Sequence, residues 1–460
     1  MDALEFDVRR EELLDECEVA PQVFDRVLPR LERFMEPFVD SLVRREQVEH
    51  ANTVVQGLLS DLEHKNAESI AYRFGEERMP LQWFLGTSGW NDEPLRDELV
   101  HQVGDQLGEE DGVIVFDPSA FPKSGTESVG VARQWCGRLG KIENCQVGIY
   151  MGYVSSREHA LVDMRLYLPR EWTKDRQRRK KAGIPTTVHH RTRHRLCLDM
   201  LERHGDRLPH AWICGDDEMG RPYWFRRRLC KLNERYLLAV PSNTLIRDLE
   251  AEPPKYSGRG RPPARPWTRV DKWVAAIADD DWSTVDVRDG EKGPLLVEIV
   301  KRPVVGRTDK RQEGHEEVLV VIRYKDRDDQ RVVKTDYYLS NAGVDTQLAE
   351  FARAAKAEHR IEECIQRSKS EAGLADYEVR TWRGWHHHQT LSLIATWFLV
   401  TEARREKKID PGDHRPSDPR GDLQSPAKAL RMRYSLTPSK RMQATPSTER
   451  TCPPLSLETM

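Results

Sequence analysis

Four apolar residues, Val113-Ile-Val-Phe116, run directly into a carboxylate and a proline, Asp117-Pro118. A run rich in β-branched residues reads as a strand buried on both faces, and Pro118 keeps the residue before it extended. Carboxylates are depleted in strands and costly to bury unpaired, so Asp117 needs a partner: a metal ion, an arginine or a set of backbone N–H donors. A second run of this kind, Ala211-Trp-Ile-Cys-Gly215, also ends on acids, Asp216-Asp-Glu218. If the two strands are sheet neighbours, Asp117 and Asp216 present oxygens to one point. Hard cations, Mg²⁺ or Mn²⁺, suit such a pair because they take carboxylate oxygens and keep waters for phosphate groups. A third carboxylate would complete a two-metal site with ions ~4 Å apart. The helical stretch Glu358 to Lys369 offers Glu362 or Glu363, with Lys369 two turns beyond Glu362 on the same face.

The rest of the chain arranges itself around these runs. Residues 1–104 read as a helical domain, because apolar residues recur at spacings of three and four in Val23–Phe38 and Asn52–Glu63. It would serve DNA-end binding, packing or dimerisation. Residues 105–243 read as short strands and helices of a mixed α/β sheet. The strands are Val113–Phe116, Gln146–Val154, Ala160–Leu168, Ala211–Gly215 and Arg235–Pro241, with Arg133–Gly140 as a short connection. Residues 244–345 contain a Pro- and Gly-rich loop and three further strand-like runs, a β-rich insertion. Helices return over 346–404, and 405–460, rich in Pro, Ser, Thr and Arg, read as mostly disordered.

The net charge of −3 conceals an uneven distribution. Residues 1–110 carry 26 acids against 11 bases, whereas 170–231 carry 17 bases against 8 acids, including Arg178, Arg179, Lys180 and Lys181. Basic clustering of this kind is the footprint of a polyanion, although a solvated charged face also produces it. The eight cysteines include no C-x-x-C pair, which argues against a zinc site or a disulfide framework. No run is long and apolar enough for a transmembrane helix, and the acidic N-terminus lacks signal-peptide features. The expected location is cytoplasmic, with no membrane partner. His386-His-His388 diverge on a helix and are assigned to packing or to a DNA-proximal surface. Gly258-Arg-Gly-Arg-Pro262 resembles the core of a minor-groove hook, but such short matches arise by chance and a flexible basic loop is the favoured reading.

Several strings in order resemble bacterial insertion-sequence transposases of the DDE superfamily. They are Phe116–Gly125, Ser128–Trp135, Gly140–Gln146, Leu166–Trp172, Gly215–Gly220, Arg360–Cys364 and Gly373–Trp382, with Gly57–Asn66 extending the likeness toward the N-terminus. The resemblance covers roughly residues 30–402. It implies a ribonuclease-H-like core interrupted by a β-strand insertion, with Asp117, Asp216 and Glu362 as catalytic, metal-binding acids. Asp217 and Glu363 are the neighbouring alternatives. Lys369 falls at the family's lysine position. Ala355 and Glu358 stand where the family carries Tyr and Arg, and Arg353 or Arg360 is the available substitute.

The implied activity is cleavage of element ends and transfer of the freed 3′-hydroxyl to target DNA by Mg²⁺-dependent (or Mn²⁺-dependent) phosphoryl transfer. The implied partners are double-stranded DNA, both terminal inverted repeats and target, and a second copy of the chain in a synaptic homodimer. Lys123, Arg360, Lys369 and the run Arg178 to Lys181 are the expected DNA contacts. The alternatives are a metal-dependent nuclease without strand transfer and a decayed copy that only binds DNA.

Overall fold

The structure, a computed structural model, describes residues 27–256, 258, 263–287, 295–308, 313–326 and 331–409. Five helices come first: α1 (Val27–Val39), α2 (Arg45–Leu58), α3 (Ala67–Arg73), α4 (Arg78–Gly86) and α5 (Glu93–Leu107). Their apolar stripes, among them Leu31, Met35, Phe38, Val54, Val55, Leu58, Leu95, Leu99 and Val103, are buried in the same core as the sheet that follows.

That sheet holds twelve strands. Its first half is β1 (Val113–Pro122), β2 (Ala132–Cys136), β3 (Lys141–Val154), β4 (His159–Leu166), β5 (Trp212–Gly215) and β6 (Tyr236–Ala239). β3 lies antiparallel to β1 along the whole length of β1, while β5 pairs parallel to β1 and β6 parallel to β5. Both β2 and β4 pair with β3 on its far edge. The anticipated β1–β3–β4 meander is present. The stretch expected as a mere connection after Ser128 contains β2, an edge strand whose alternation Arg133, Gln134, Trp135 is polar enough to disguise it. Between β4 and β6 lie α6 (Arg170–Lys174), α7 (Arg176–Lys181), α8 (Arg193–His204), α9 (Asp217–Gly220) and α10 (Tyr223–Lys231).

The stretch from 244 to 345 continues the same sheet. It contributes β7 (Leu245–Asp248), β8 (Thr268–Arg269), α11 (Val270–Val274), β9 (Ser283–Val287), β10 (Leu295–Arg307), β11 (Glu316–Lys325) and β12 (Val332–Ser340). β12 pairs antiparallel with β6, and the order runs on through β11, β10, β7 and β8. Where the insertion meets the core, Arg226 on α10 makes a buried, two-pronged pair with Glu317 on β11, at 2.8 and 3.1 Å, and the Tyr236 hydroxyl donates to Glu317 at 2.6 Å. Two long helices, α12 (Leu348–Glu371) and α13 (Trp382–Ile409), complete the fold. Together these elements form a mixed α/β architecture with a ribonuclease-H-like core behind a helical N-terminal part. The end of the tail, 410–460, and Arg259–Pro262 of the hook-like segment lie outside the described residues.

Candidate active site

Strand register brings the first two acids together. Phe116 pairs with Gly215 in the last rung between parallel strands β1 and β5. Asp117, midway along β1, and Asp216, just past the end of β5, are the next residues beyond that rung, so the register sets the two acids side by side. Asp117 shares its face of the sheet with its cross-strand partner Tyr150. Asp216 is the N-cap of α9 and accepts a hydrogen bond from the Met219 amide at 3.1 Å. That cap fixes Asp216, and not Asp217, as the residue turned back toward the strand ends; Asp217 is drawn outward into an ion pair with Arg221.

Helix α12 crosses this face. Its Ala354 carbonyl accepts from the Cys214 thiol at 3.3 Å, Ile361 packs against Gly152, and the Lys369 ammonium donates to the Ser119 hydroxyl at 2.7 Å. Any Cβ on Gly152 would lie 2.4 Å from Ile361, so only glycine lets the helix sit this close. These three contacts set the helix rotation. At 100° per residue, Glu358 falls within the arc that Ala354, Ile361 and Lys369 define, while Glu362 stands at its margin. Glu358 is half-buried. The Glu362 side chain is 71% exposed and takes His359 as its partner at 3.5 Å, and Glu363 is exposed as well.

The electrostatics match this placement. Burial pushes the Asp117 carboxyl well above the usual range, and the charges of Asp216 and Glu362 push it further against a downward pull from Lys369. Asp216 is raised to about 7, mainly by burial and then by Glu218. Glu358 is also held well above its ordinary value, by burial first and then by Asp216, Asp117 and Asp336. Glu362 alone is lowered, through its bond with His359. Glu358 was not singled out as one of these acids from the sequence. The signal that could have found it was its place one turn before Glu362, on the face already marked by Ala354 and Ile361.

The chemistry of this donor set fits a divalent cation. The donors are oxygens only, several carboxylates crowd one another, and one lysine partly offsets them. Among the described residues no three His, Cys, Asp or Glu side chains are drawn in closely enough to hold one ion.

The expected DNA contacts are distributed unevenly. Lys369 adjoins Asp117. Lys123 lies partly buried over the Tyr377 ring, 3.6 Å from its centroid, and donates to the Tyr377 carbonyl at 3.1 Å; burial lowers its pKa to about 8. Arg360 donates to the Ser155 carbonyl, at the opposite end of β3 from the strand ends that carry the acids, and Arg353 is paired with Asp111. Arg178 covers the Trp172 ring and donates to the Thr126 carbonyl, Arg179 donates to the Pro185 and Val188 carbonyls, and Lys181 pairs with Glu127. Lys180 is exposed. The three histidines at 386–388 are buried against α4 and the loops after α4 and α12, so packing is their role, not a DNA-proximal surface.

Acids on neighbouring parallel strands, an antiparallel strand on one flank and a carboxylate-bearing helix across them define the class: a ribonuclease-H-like core with an acidic centre at its strand ends. The family model for DDE superfamily endonucleases matches residues 37–294, more than half of the chain, and the protein belongs to that family. The match includes Asp117 and Asp216 and ends before α12. The chain is also similar to a probable transposase for insertion sequence element IS701 from Microchaete diplosiphon, with 33% identity over 119 residues. That stretch is 25% of this chain and 30% of the relative's length. No helix among the described residues is long and apolar enough to cross a membrane.

Proposed function

We propose that this chain is an insertion-sequence DNA transposase, cleaving element ends and joining the freed 3′-hydroxyl to target DNA. The observation that carries the reading is the rung-for-rung alignment of Asp117 and Asp216 on β1 and β5 within a chain of the DDE endonuclease family. Asp117 and Asp216, with Glu362 and Glu358 supplied from α12, would hold Mg²⁺ or Mn²⁺. Ions bound there supply an activated water or 3′-hydroxyl and charge stabilisation at the leaving oxygen. Lys369, oriented by Ser119, is placed to hold a non-bridging phosphate oxygen. Asp216, whose carboxyl burial raises to about 7, would have to be deprotonated to serve as a ligand there. The substrates are duplex element ends with inverted repeats and target duplex, and pairing two ends calls for a homodimer on DNA.

The test is cleavage and strand transfer on DNA carrying the element's ends, identified from inverted repeats that flank the gene. Asp117→Asn should lower cleavage by about 10³-fold or more while end binding persists. Cleavage retained at the native rate would refute the assignment. Cleavage without any joined product would instead identify a nuclease.

A further inference from the structure

A second feature opens at the same end of the sheet. β2 starts where β1 stops, since Pro122 and Ala132 share Cys145 as cross-strand partner. Between β2, the start of α6 and the N-terminus of α8 lies a cleft of about 600 Å³. Its floor is built. The Arg193 guanidinium is held at 2.7 Å by Glu218 and at 3.1 Å by the Gln134 amide oxygen, and lies 4.9 Å from the Tyr167 ring centroid. The His194 ring bonds the Glu218 carbonyl at 2.8 Å. Its rim carries Arg133 and Arg170, both exposed. Beside it the Trp224 indole, 45% exposed, meets His194 edge-on at 5.8 Å. Glu218 joins the cleft to the acids, because it lines the cleft and stands on α9 two residues after Asp216.

We infer that this cleft seats the single DNA strand adjoining the scissile phosphate, with Arg133 and Arg170 on its phosphates and Trp224 as a stacking face. The inference rests on the function proposed above and adds where the strand runs. The volume is of a size to seat one or two nucleotides. Cations at a rim with an exposed aromatic face beside them are the combination by which single strands are held without base readout. Beyond Arg170, the same path continues over Lys174, Arg176 and Lys180, all exposed on α6 and α7.

The test uses the full chain and a labelled single-stranded oligonucleotide of about 16 nucleotides, with binding followed by fluorescence anisotropy from about 50 to 200 mM NaCl. Replacing two phosphate contacts in an Arg133→Gln/Arg170→Gln double variant should weaken binding at least about tenfold and flatten the salt slope by about 1.4. Trp224→Ala should weaken binding about fivefold or more with the slope unchanged. All three side chains are exposed, so melting curves should match the native chain. Native binding with both variants indistinguishable from it overturns the cleft and leaves the proposed function standing; the cleft would then fit a protein partner. A native chain that fails to bind the single strand overturns the cleft alone, and one that also fails to bind duplex element ends overturns both.

Discussion

At the scale of single residues, the centre is a set of carboxylates that oppose one another. Asp216, raised from 3.8 to about 7, illustrates the sign. Its folded pKa lies above its unfolded one, so the associated stability is fully present below about 3.8 and is lost as pH rises through about 7. Two outcomes follow. Metal-free Asp216→Asn protein should melt a few degrees above native at pH 8, with the gain shrinking toward pH 5, as calorimetry would record. Mn²⁺ affinity, measured by titration calorimetry, should rise about fivefold between pH 6 and 7 and level off only above about pH 8, since loading displaces a proton. Glu358 and Glu362 separate by the same measurement. Glu358→Gln should lower Mn²⁺ affinity by about tenfold or more through loss of an inward-facing oxygen. An unchanged affinity would leave Glu362 as the only contributor from α12.

At the scale of elements, the strands that carry the acids were legible because burial on both faces writes an unbroken apolar run, as in Val113–Phe116. β2 was not, since an edge strand with Arg133 and Gln134 has no apolar period to read. Glu358 was hidden for a different reason. Spacing from Lys369 selects Glu362, but helix rotation depends on Gly152, Cys214 and Ser119, which are distant in sequence. The turn after α12 shows how tightly that helix is placed. Gly373 has φ +63°, and an added Cβ would lie 2.7 Å from Leu58 and 3.0 Å from Lys65, whose ammonium donates to the Glu371 carbonyl. Gly373→Ala should therefore cost about 2–4 kcal/mol in urea denaturation, beyond the backbone term alone.

At the scale of the molecule, α13 binds the helical part to the sheet through buried polar groups. His386 and His388 are pushed down to about 4 by burial. Their folded pKa values lie below the unfolded 6.5, so their stability is complete above 6.5 and falls as pH drops toward 4. Each should cost about 1.4 kcal/mol per pH unit in that window. His387 is set aside, because both its nitrogens face carbonyl oxygens at 3.0 Å and a neutral ring can donate to only one. Thermal unfolding at pH 7, 6 and 5 should show the steep loss, and a His386→Asn/His388→Gln variant should flatten it. The order of the chain carries a further consequence. α12 follows β12 in the chain, so a nascent polypeptide that already carries Asp117 and Asp216 still lacks α12. On the proposed function, cleavage would therefore begin only once synthesis has passed α12, and a product truncated before it should leave DNA uncut in a nicking assay.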